Sequence, residues 1–451
     1  MLLPRSEAEV LSILDRYRGR RIRVVGRLHS WSPAIVADDV LLDLRQLNHV
    51  HVAQCDGRWT ASVGAGCQIK RLLRELENAG LTLPSIGLVT EQSIAGAIST
   101  GTHGSGRHSL SHYVEEVRIA TFDIATGLPI IRVIDAAPEL LAARCSLGCL
   151  GVIVSVKLSC RPRYFVEEHF REYERIDDVL AAEERYPLQQ FFLIPWRWTF
   201  FAQHRRESPD ARNGGTSLYR VYCFVVFDLL LHLSLLGLLR IVRSNKWLQW
   251  YFRTVLPRFV IRNWRVVDRS ERMLVMEHEL FRHIEMELFV RRTRLPQALD
   301  YLANVLRSLG GDAAEFPEAT REQLAVLSMD AELASLLGSY THHYPICIRR
   351  VLPDETLLSM SSGWAEPSYA ISLISYARPS ERAGFVAATT FLARSMAELF
   401  DARPHWGKFC PLSAEAIARL YPELPRFREV CEAIDPAAAF RNDWLQRTLW
   451  G

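Results

Sequence analysis

The chain has nine cysteines, at positions 55, 67, 145, 149, 160, 223, 347, 410 and 431, but no CxxC pair and no close grouping of histidine with cysteine of zinc type. An odd, scattered set of thiols argues against a secreted disulfide framework and for free thiols in a reducing compartment, and no metal is expected. Excess charge is also lacking. A formal +3 over 451 residues gives no reason to expect nucleic acid as a partner. The opening MLLPRSEAEVLSILDRY carries Pro4, Glu7, Glu9 and Asp15 where a secretory signal needs an unbroken apolar run, so a cytoplasmic location is expected. No internal repeat or low-complexity tract occurs. Two common nucleotide-binding patterns are missing as well: there is no GxxxxGK[ST] loop, and no GxGxxG set between a strand and a helix.

What is present is enzyme-sized: 49% apolar and 23% charged residues, with enough length for two or three domains. Residues 20–66 alternate short β-type runs with turn signals. These are RIRVVG, DDVLLDL and HVHVAQCDGRWTASVGAG, the last with a tight hairpin at Asp56-Gly57. In CQIKRLLRELENAGL, Ile69, Leu72, Leu73 and Leu76 recur at helical spacing and Gly80 stands at the stop. VEEVRIATFDIATG and LGCLGVIVSVKLSCRP read as strands. From Arg163 to about Ala402, strands (VEEHFREYER, MEHELFRHIEMELFV, YPICIRRVLPDE, SYAISLISY) mix with helices (LPQALDYLANVLRSLGG, ERAGFVAATTFLARSMAELF). This region forms a second domain with its own core, and DAAEFPEATREQLAVLSMDAELASLL reads as an insertion.

Residues 90–106, TEQSIAGAISTGTHGSG, combine glycines at 96, 101, 104 and 106 with apolar Ile94, Ala95, Ala97 and Ile98. Buried glycine is entropically expensive, so such a run implies that another group approaches the main chain closely. A flat or elongated polar ligand that touches backbone along its length fits, and a dinucleotide is one such ligand. RVVGRLHSW, Arg23 to Trp31, supplies a second ligand loop directly after a strand.

VVGRLHSW, DDVLLDLRQLNHV, VGAGCQIKRLLRELENAGLTLPSIG, EQSIAGAISTGTHGSG, SLGCLGVIVSV, RPHWGKF and IDPAAAFRND occur in that order. With these pieces the chain resembles the flavin-dependent oxidases of the vanillyl-alcohol oxidase type, most closely the aldonolactone and alditol oxidase branch. The resemblance implies an α+β, two-domain fold. An FAD-binding domain would form from N-terminal (1–162) and C-terminal (403–451) segments. A cap domain (163–402), an antiparallel sheet flanked by helices, would bind substrate. It implies FAD bonded through His29 of the loop Gly26, Arg27, Leu28, His29, Ser30, Trp31. Gly96, Thr100, Gly101, Thr102, His103, Gly104, Ser105 and Gly106 would contact the cofactor, with Gly148 and Ile153 near its adenine part. Leu28 departs from the family, which has a second glycine there; the side chain would either crowd a phosphate or require a negative φ.

Hydride transfer from an alcohol carbon to flavin leaves negative charge on the ring and a hydroxyl proton to be placed. The resemblance assigns the charge to Lys408 of HWGK. On the cap it expects an acid, a spacer and an arginine, and the chain has Cys347, Ile348, Arg349. Arg349 matches, but a thiol replaces the acid. Either another base serves, with His405, His342 and His343 as candidates, or the substrate is not a simple sugar acid or polyol. The readings left open are oxidation of an aldonolactone or alditol, with oxygen or another acceptor taking the electrons; oxidation of a hydrophobic or natural-product alcohol; and a catalytically degenerate membrane-associated scaffold.

The second reading draws on FFLIPWRWTFF and on residues 219–265, where VYCFVVFDLLLHLSLLGLLRIV precedes a basic, aromatic stretch. Asp228 and His232 near the middle of the apolar run favour a buried or membrane-surface helix over a crossing, and residues 221–264 are the expected peripheral membrane contact.

Overall fold

Strands β1 (Ile22–Val25) and β2 (Val40–Asp43) pair in parallel, and the backbone amide of Ile22 is bonded to the carbonyl of Ala439, 2.8 Å away. The chain thus returns to its beginning at its end. The computed structural model describes residues 1–276, 281–312, 316–376 and 378–451 and divides into two units. The first contains Met1–Arg163, Val351–Ala365 and His405–Gly451. Among the described residues its larger sheet has the order β3 (Val50–Cys55), β4 (Arg58–Gly64), β8 (Val152–Pro162), β6 (Val114–Phe122), β7 (Pro129–Ile134), with β5 (Leu81–Thr82) paired to β8. Asp56 and Gly57 both take positive φ (49° and 76°), the geometry a two-residue hairpin requires. The helix Ile69–Asn78 buries the four apolar residues expected from its spacing and ends before Gly80 at φ 72°.

A buried cation joins the ends of this unit. Arg23 on β1 donates to the carbonyls of Ala34 (2.8 Å), Leu147 (2.7 Å), Gly148 (3.3 Å) and Phe440. Four carbonyl dipoles satisfy a guanidinium whose pKa burial lowers.

The second unit contains Tyr164–Arg350 and Glu366–Pro404. Among the described residues its sheet runs β12 (Val266–Arg269), β9 (Phe165–Tyr173), β11 (Phe200–Ser208), β10 (Gln190–Leu193), β14 (Ile346–Val351), β15 (Ser368–Tyr376), β13 (His283–Arg291), β16 (Arg403–Pro404). Of the expected strand MEHELFRHIEMELFV, residues 277–280 lie outside the described residues. The helices Leu295–Leu309 and Pro379–Phe400 lie against β13. The stretch read as an insertion contains two short helices, Glu318–Val326 and Asp330–Ser335, which bury Leu324 and Leu333.

At the β9 and β11 end lies a helical hairpin. A continuous helix runs from Thr216 to Val242, the chain reverses at Arg243 (φ 52°), and helical structure resumes over Asn245–Phe259. Tyr219, Leu231, Leu235, Leu248, Phe252 and Leu256 form one core with Val166, Phe170 and Phe201 of the sheet. Along the hairpin, residues one helical turn apart thus bury a single face.

Candidate functional site

In the first unit, the loop after β1 leaves the sheet at Gly26, where an added Cβ would lie 2.0 Å from Ser93 Oγ. Arg27 and Leu28 are exposed and His29 is half-buried. Leu28 adopts φ 57° with 68% of its surface exposed. The chain therefore keeps the backbone conformation suited to glycine, at a cost of about 1–3 kcal/mol for a residue with a Cβ, and the side chain turns to the surface. The negative-φ alternative does not occur. His29 adds to the groups that hold the Glu91 carboxyl below its ordinary range, of which the hydrogen bond from Lys70 is the largest.

The loop meets the C-terminal turn. Ser30 Oγ (3.2 Å) and the Trp31 amide (2.9 Å) both donate to the carbonyl of Gly407. The turn is closed by the Lys408 amide on His405 O (3.0 Å) and by the Gly407 amide on His405 Nδ1 (2.9 Å). Trp406, fully buried, anchors it by donating Nε1–H to Leu358 O at 2.6 Å. Lys408 is half-buried.

The TGTHGSG stretch completes the convergence. A Cβ on Gly407 would stand 3.2 Å from both Thr100 Oγ1 and His405 Cε1, and the rings of His103 and His405 are 5.8 Å apart. Thr100 Oγ1 donates to Gly96 O (3.1 Å), and Thr102 Oγ1 to Gln92 Oε1 (3.0 Å). Ser105 and Gly106 follow directly, Gly106 at φ 75°. At Gly104 an added Cβ would be 2.5 Å from the Ile86 carbonyl, and at Gly101 (φ 74°) 2.9 Å from Met360. The groups that approach these two glycines are thus parts of the protein itself, which revises the expectation that a ligand alone accounts for them. Gly148 lies against the Arg23 guanidinium and Ile153 pairs with Ile119 of β6, one step removed from the loops above.

Residues 26–31 and 100–106 contain no carboxylate and include Arg27, His29 and His103. They converge on one turn together with Lys408 and present two lengths of main chain outside regular sheet. This donor set fits a phosphate-bearing dinucleotide such as FAD, for which backbone N–H groups and cations are the usual partners.

In the second unit, strand register sorts one face of the sheet into two rows. Gln203, Gln190 and Arg349 are cross-strand neighbours, and so are Phe201, Phe192 and Cys347. The Gln190 amide is 2.6 Å from Gln203 Oε1. Arg349 donates to Glu287 Oε1 at 2.5 Å, and Ser372 Oγ reaches the same oxygen at 2.8 Å. Burial alone would lower the arginine pKa, but Glu287 together with Cys347 and Glu285 outweighs it and raises it. Cys347 is pushed up to about 11, chiefly by burial, so it is a neutral thiol at pH 7 and a poor proton acceptor. Burial likewise lowers His342 to about 3; its Nδ1 is 3.0 Å from Tyr340 OH, and its backbone carbonyl accepts from Trp196. His343 is held between Thr341 O (3.1 Å) and Ser375 Oγ (3.2 Å). Both histidines are fixed by the packing of this unit.

Sequence reasoning missed Glu287, the acid that partners Arg349 from β13. The signal was available: Glu285 and Glu287 alternate within the otherwise apolar HIEMELFV. It also missed Val351–Ala365, which packs in the first unit and supplies Met360 and Leu358.

The family model described as D-arabinono-1,4-lactone oxidase matches residues 204–448, more than half the chain, and one described as FAD binding domain matches residues 1–123. The chain belongs to the D-arabinono-1,4-lactone oxidase family. Within the wider group of vanillyl-alcohol oxidase-type proteins, it is 54% identical to a "Long-chain alcohol oxidase" of an uncultured marine euryarchaeote, covering 99% of this chain and 93% of that protein. It is 26% identical to an "L-gulono-1,4-lactone dehydrogenase" of Mycobacterium tuberculosis, over 99% and 95% of the two chains. Among solved structures, a cholesterol oxidase from B. sterolicum superposes with a TM-score of 0.72 at 15% identity over 99% and 93% of the chains, a likeness of fold. As a member of this family, the chain is an FAD-dependent oxidoreductase acting on alcohol or lactone donors.

Proposed function

We propose that the enzyme oxidises a hydrophobic alcohol with a single polar end, of the long-chain alkanol class. The observation that carries this is Cys347, a neutral thiol beside Phe192 and two residues before Arg349, where the resemblance expects an acid. An acid two residues before Arg349 would stand beside phenyl rings; this chain has a protonated thiol there instead. One short polar row next to an apolar one suits a hydroxyl with a hydrocarbon tail better than a polyol, whose every carbon needs a hydrogen-bond partner. The name of the 54% identical relative points the same way.

In this reading the main chain of residues 26–31 and 100–106 holds FAD, and His29 carries the covalent link. FAD, when bound, accepts the hydride and passes its electrons to oxygen or another acceptor. Lys408 provides the fixed positive charge that offsets the negative charge developing there, in a turn already ordered by Trp406 and His405, so little reorganisation is needed. Arg349 binds the substrate oxygen and Glu287 holds the guanidinium in place. His405 is the remaining candidate to take the hydroxyl proton.

The test is a chain-length series of primary alcohols. Each added CH₂ buried beside Phe192 and Cys347 is worth up to about 0.8 kcal/mol, or nearly four-fold in kcat/KM, until the apolar surface is filled. A flat series would overturn the proposal. The family model over residues 204–448 favours a second reading, a sugar lactone or alditol, and D-arabinono-1,4-lactone and xylitol in the same series distinguish it.

A further inference from the structure

We infer that the helical hairpin of the second unit docks this enzyme on an anionic lipid surface, lying in the interface and not crossing it. Half of the exposed large hydrophobic residues described fall between Leu218 and Ile261. Four of these eleven lie at the hairpin tip, where Ile241 is 83% exposed, Trp247 54% and Trp250 49%, with Val242 beside them. Isolated exposed apolar residues need no explanation, but a contiguous set that includes paired tryptophans marks an interaction surface.

Charge selects the partner. Residues 216–265 contain eight Arg or Lys and one acid, Asp228, in a chain whose formal total is +3. Arg253, Arg262 and Arg265 are spent on Asp312, Glu172 and Glu167 within the unit. Arg243 and Lys246 stand at the tip itself, exposed and interleaved with Ile241, Val242 and Trp247. Tryptophan and long apolar side chains next to cations match the boundary between acyl chains and anionic headgroups.

Orientation follows from the buried side. The helix Thr216–Val242 is long and apolar enough to span a bilayer by length and composition alone. Its inner face, however, is fixed to the sheet from Tyr219 to Leu235, about 24 Å of helix at 1.5 Å per residue. Tyr219 OH donates to Glu168 at 2.5 Å, and His232 Nδ1 lies 3.1 Å from Tyr376 OH. The second helix, through Leu248 and Phe252, is held in the same core. A helix bound to a sheet over that length cannot stand in a bilayer without dismantling the unit, so only its outer face and the tip are available to lipid.

The experiment is sedimentation of the purified holoenzyme with vesicles of phosphatidylcholine, with and without phosphatidylglycerol. The enzyme is expected to bind the anionic vesicles, to leave them at high salt, and to lose about five-fold in partitioning for each of Arg243→Ser and Lys246→Ser. The double variant Ile241→Glu, Trp247→Glu should lose at least ten-fold while keeping its flavin content and its melting temperature, which shows that it folds. No binding to either vesicle would overturn the proposal. So would resistance to alkaline extraction from native membranes, which indicates a crossing, or a wild-type dimer in solution that the double variant converts to monomer, which indicates self-association. Because binding is read without turnover, it fails or stands separately from the substrate assignment.

Discussion

Replacing Glu287 by glutamine should cost the second unit about 3 kcal/mol, although the substitution removes no atom from the packing. The carboxylate and Arg349 are both buried, 2.5 Å apart, with Ser372 completing the group. At an effective dielectric of about 20, opposite charges about 4 Å apart attract by about 4 kcal/mol. Removing one member of a buried pair costs about 3–5 kcal/mol, because the other charge stays desolvated and uncompensated. Glutamine retains the hydrogen-bonding oxygen for Ser372, which places the expected loss at the lower end. At about 2–4 °C per kcal/mol, Tm should fall by about 6–12 °C in a calorimetric scan. The double variant Glu287→Leu, Arg349→Met, lacking both charges, should recover most of the loss, and the double-mutant cycle should give a coupling above about 2 kcal/mol. If Glu287→Gln melts within about 0.5 kcal/mol of wild type, the pair is not the buried charge unit described, and Glu287 has no claim to position Arg349.

Three other outcomes are expected. His29→Ala should abolish flavin that survives acid precipitation while leaving FAD bound and extractable; acid-stable flavin in the variant would reassign the link. Lys408→Met should slow flavin reduction at least a hundred-fold, the usual scale for one electrostatic stabiliser, with FAD content unchanged, as stopped-flow mixing would show. Burial lowers His204 and His342 to about 3 in the folded chain, against about 6.5 unfolded. The unfolded state then binds more protons as pH drops through 6.5, so stability is present above that pH and is lost below it. Between pH 7.5 and 5.5 each should contribute about 1.4 kcal/mol of loss. A Tm unchanged over that interval would contradict the burial of both rings.

Much of the first unit was legible because its signals are local. The Asp56-Gly57 hairpin and the spacing of Ile69, Leu72, Leu73 and Leu76 are readable within a few residues and appear where expected. The TGTHGSG and HWGK segments could be singled out by composition, but not the fact that Gly407 O receives both Ser30 and Trp31, a contact over more than 370 positions. The glycines misled in one respect. Their need for space was correct, yet Ile86 and Met360 occupy that space at Gly104 and Gly101. Leu28 was read as a conflict between side chain and backbone, and the fold resolves it by accepting a positive φ at an exposed position. In the second unit, the strand of Cys347 read by itself showed a thiol in place of the acid but not the carboxylate that partners Arg349. The carboxylate beside Arg349 comes from β13, with β15 between, and no pattern along one strand reveals a partner two strands away.

The most direct test of the account is anaerobic mixing of the purified enzyme with a long-chain primary alkanol, with D-arabinono-1,4-lactone and with xylitol, following the visible flavin band. Rapid bleaching by the alkanol and slow or no bleaching by the other two are expected. Bleaching by the lactone or the polyol, with the alkanol inert, would contradict the assignment of the surface beside Phe192 and Cys347 to a hydrocarbon tail.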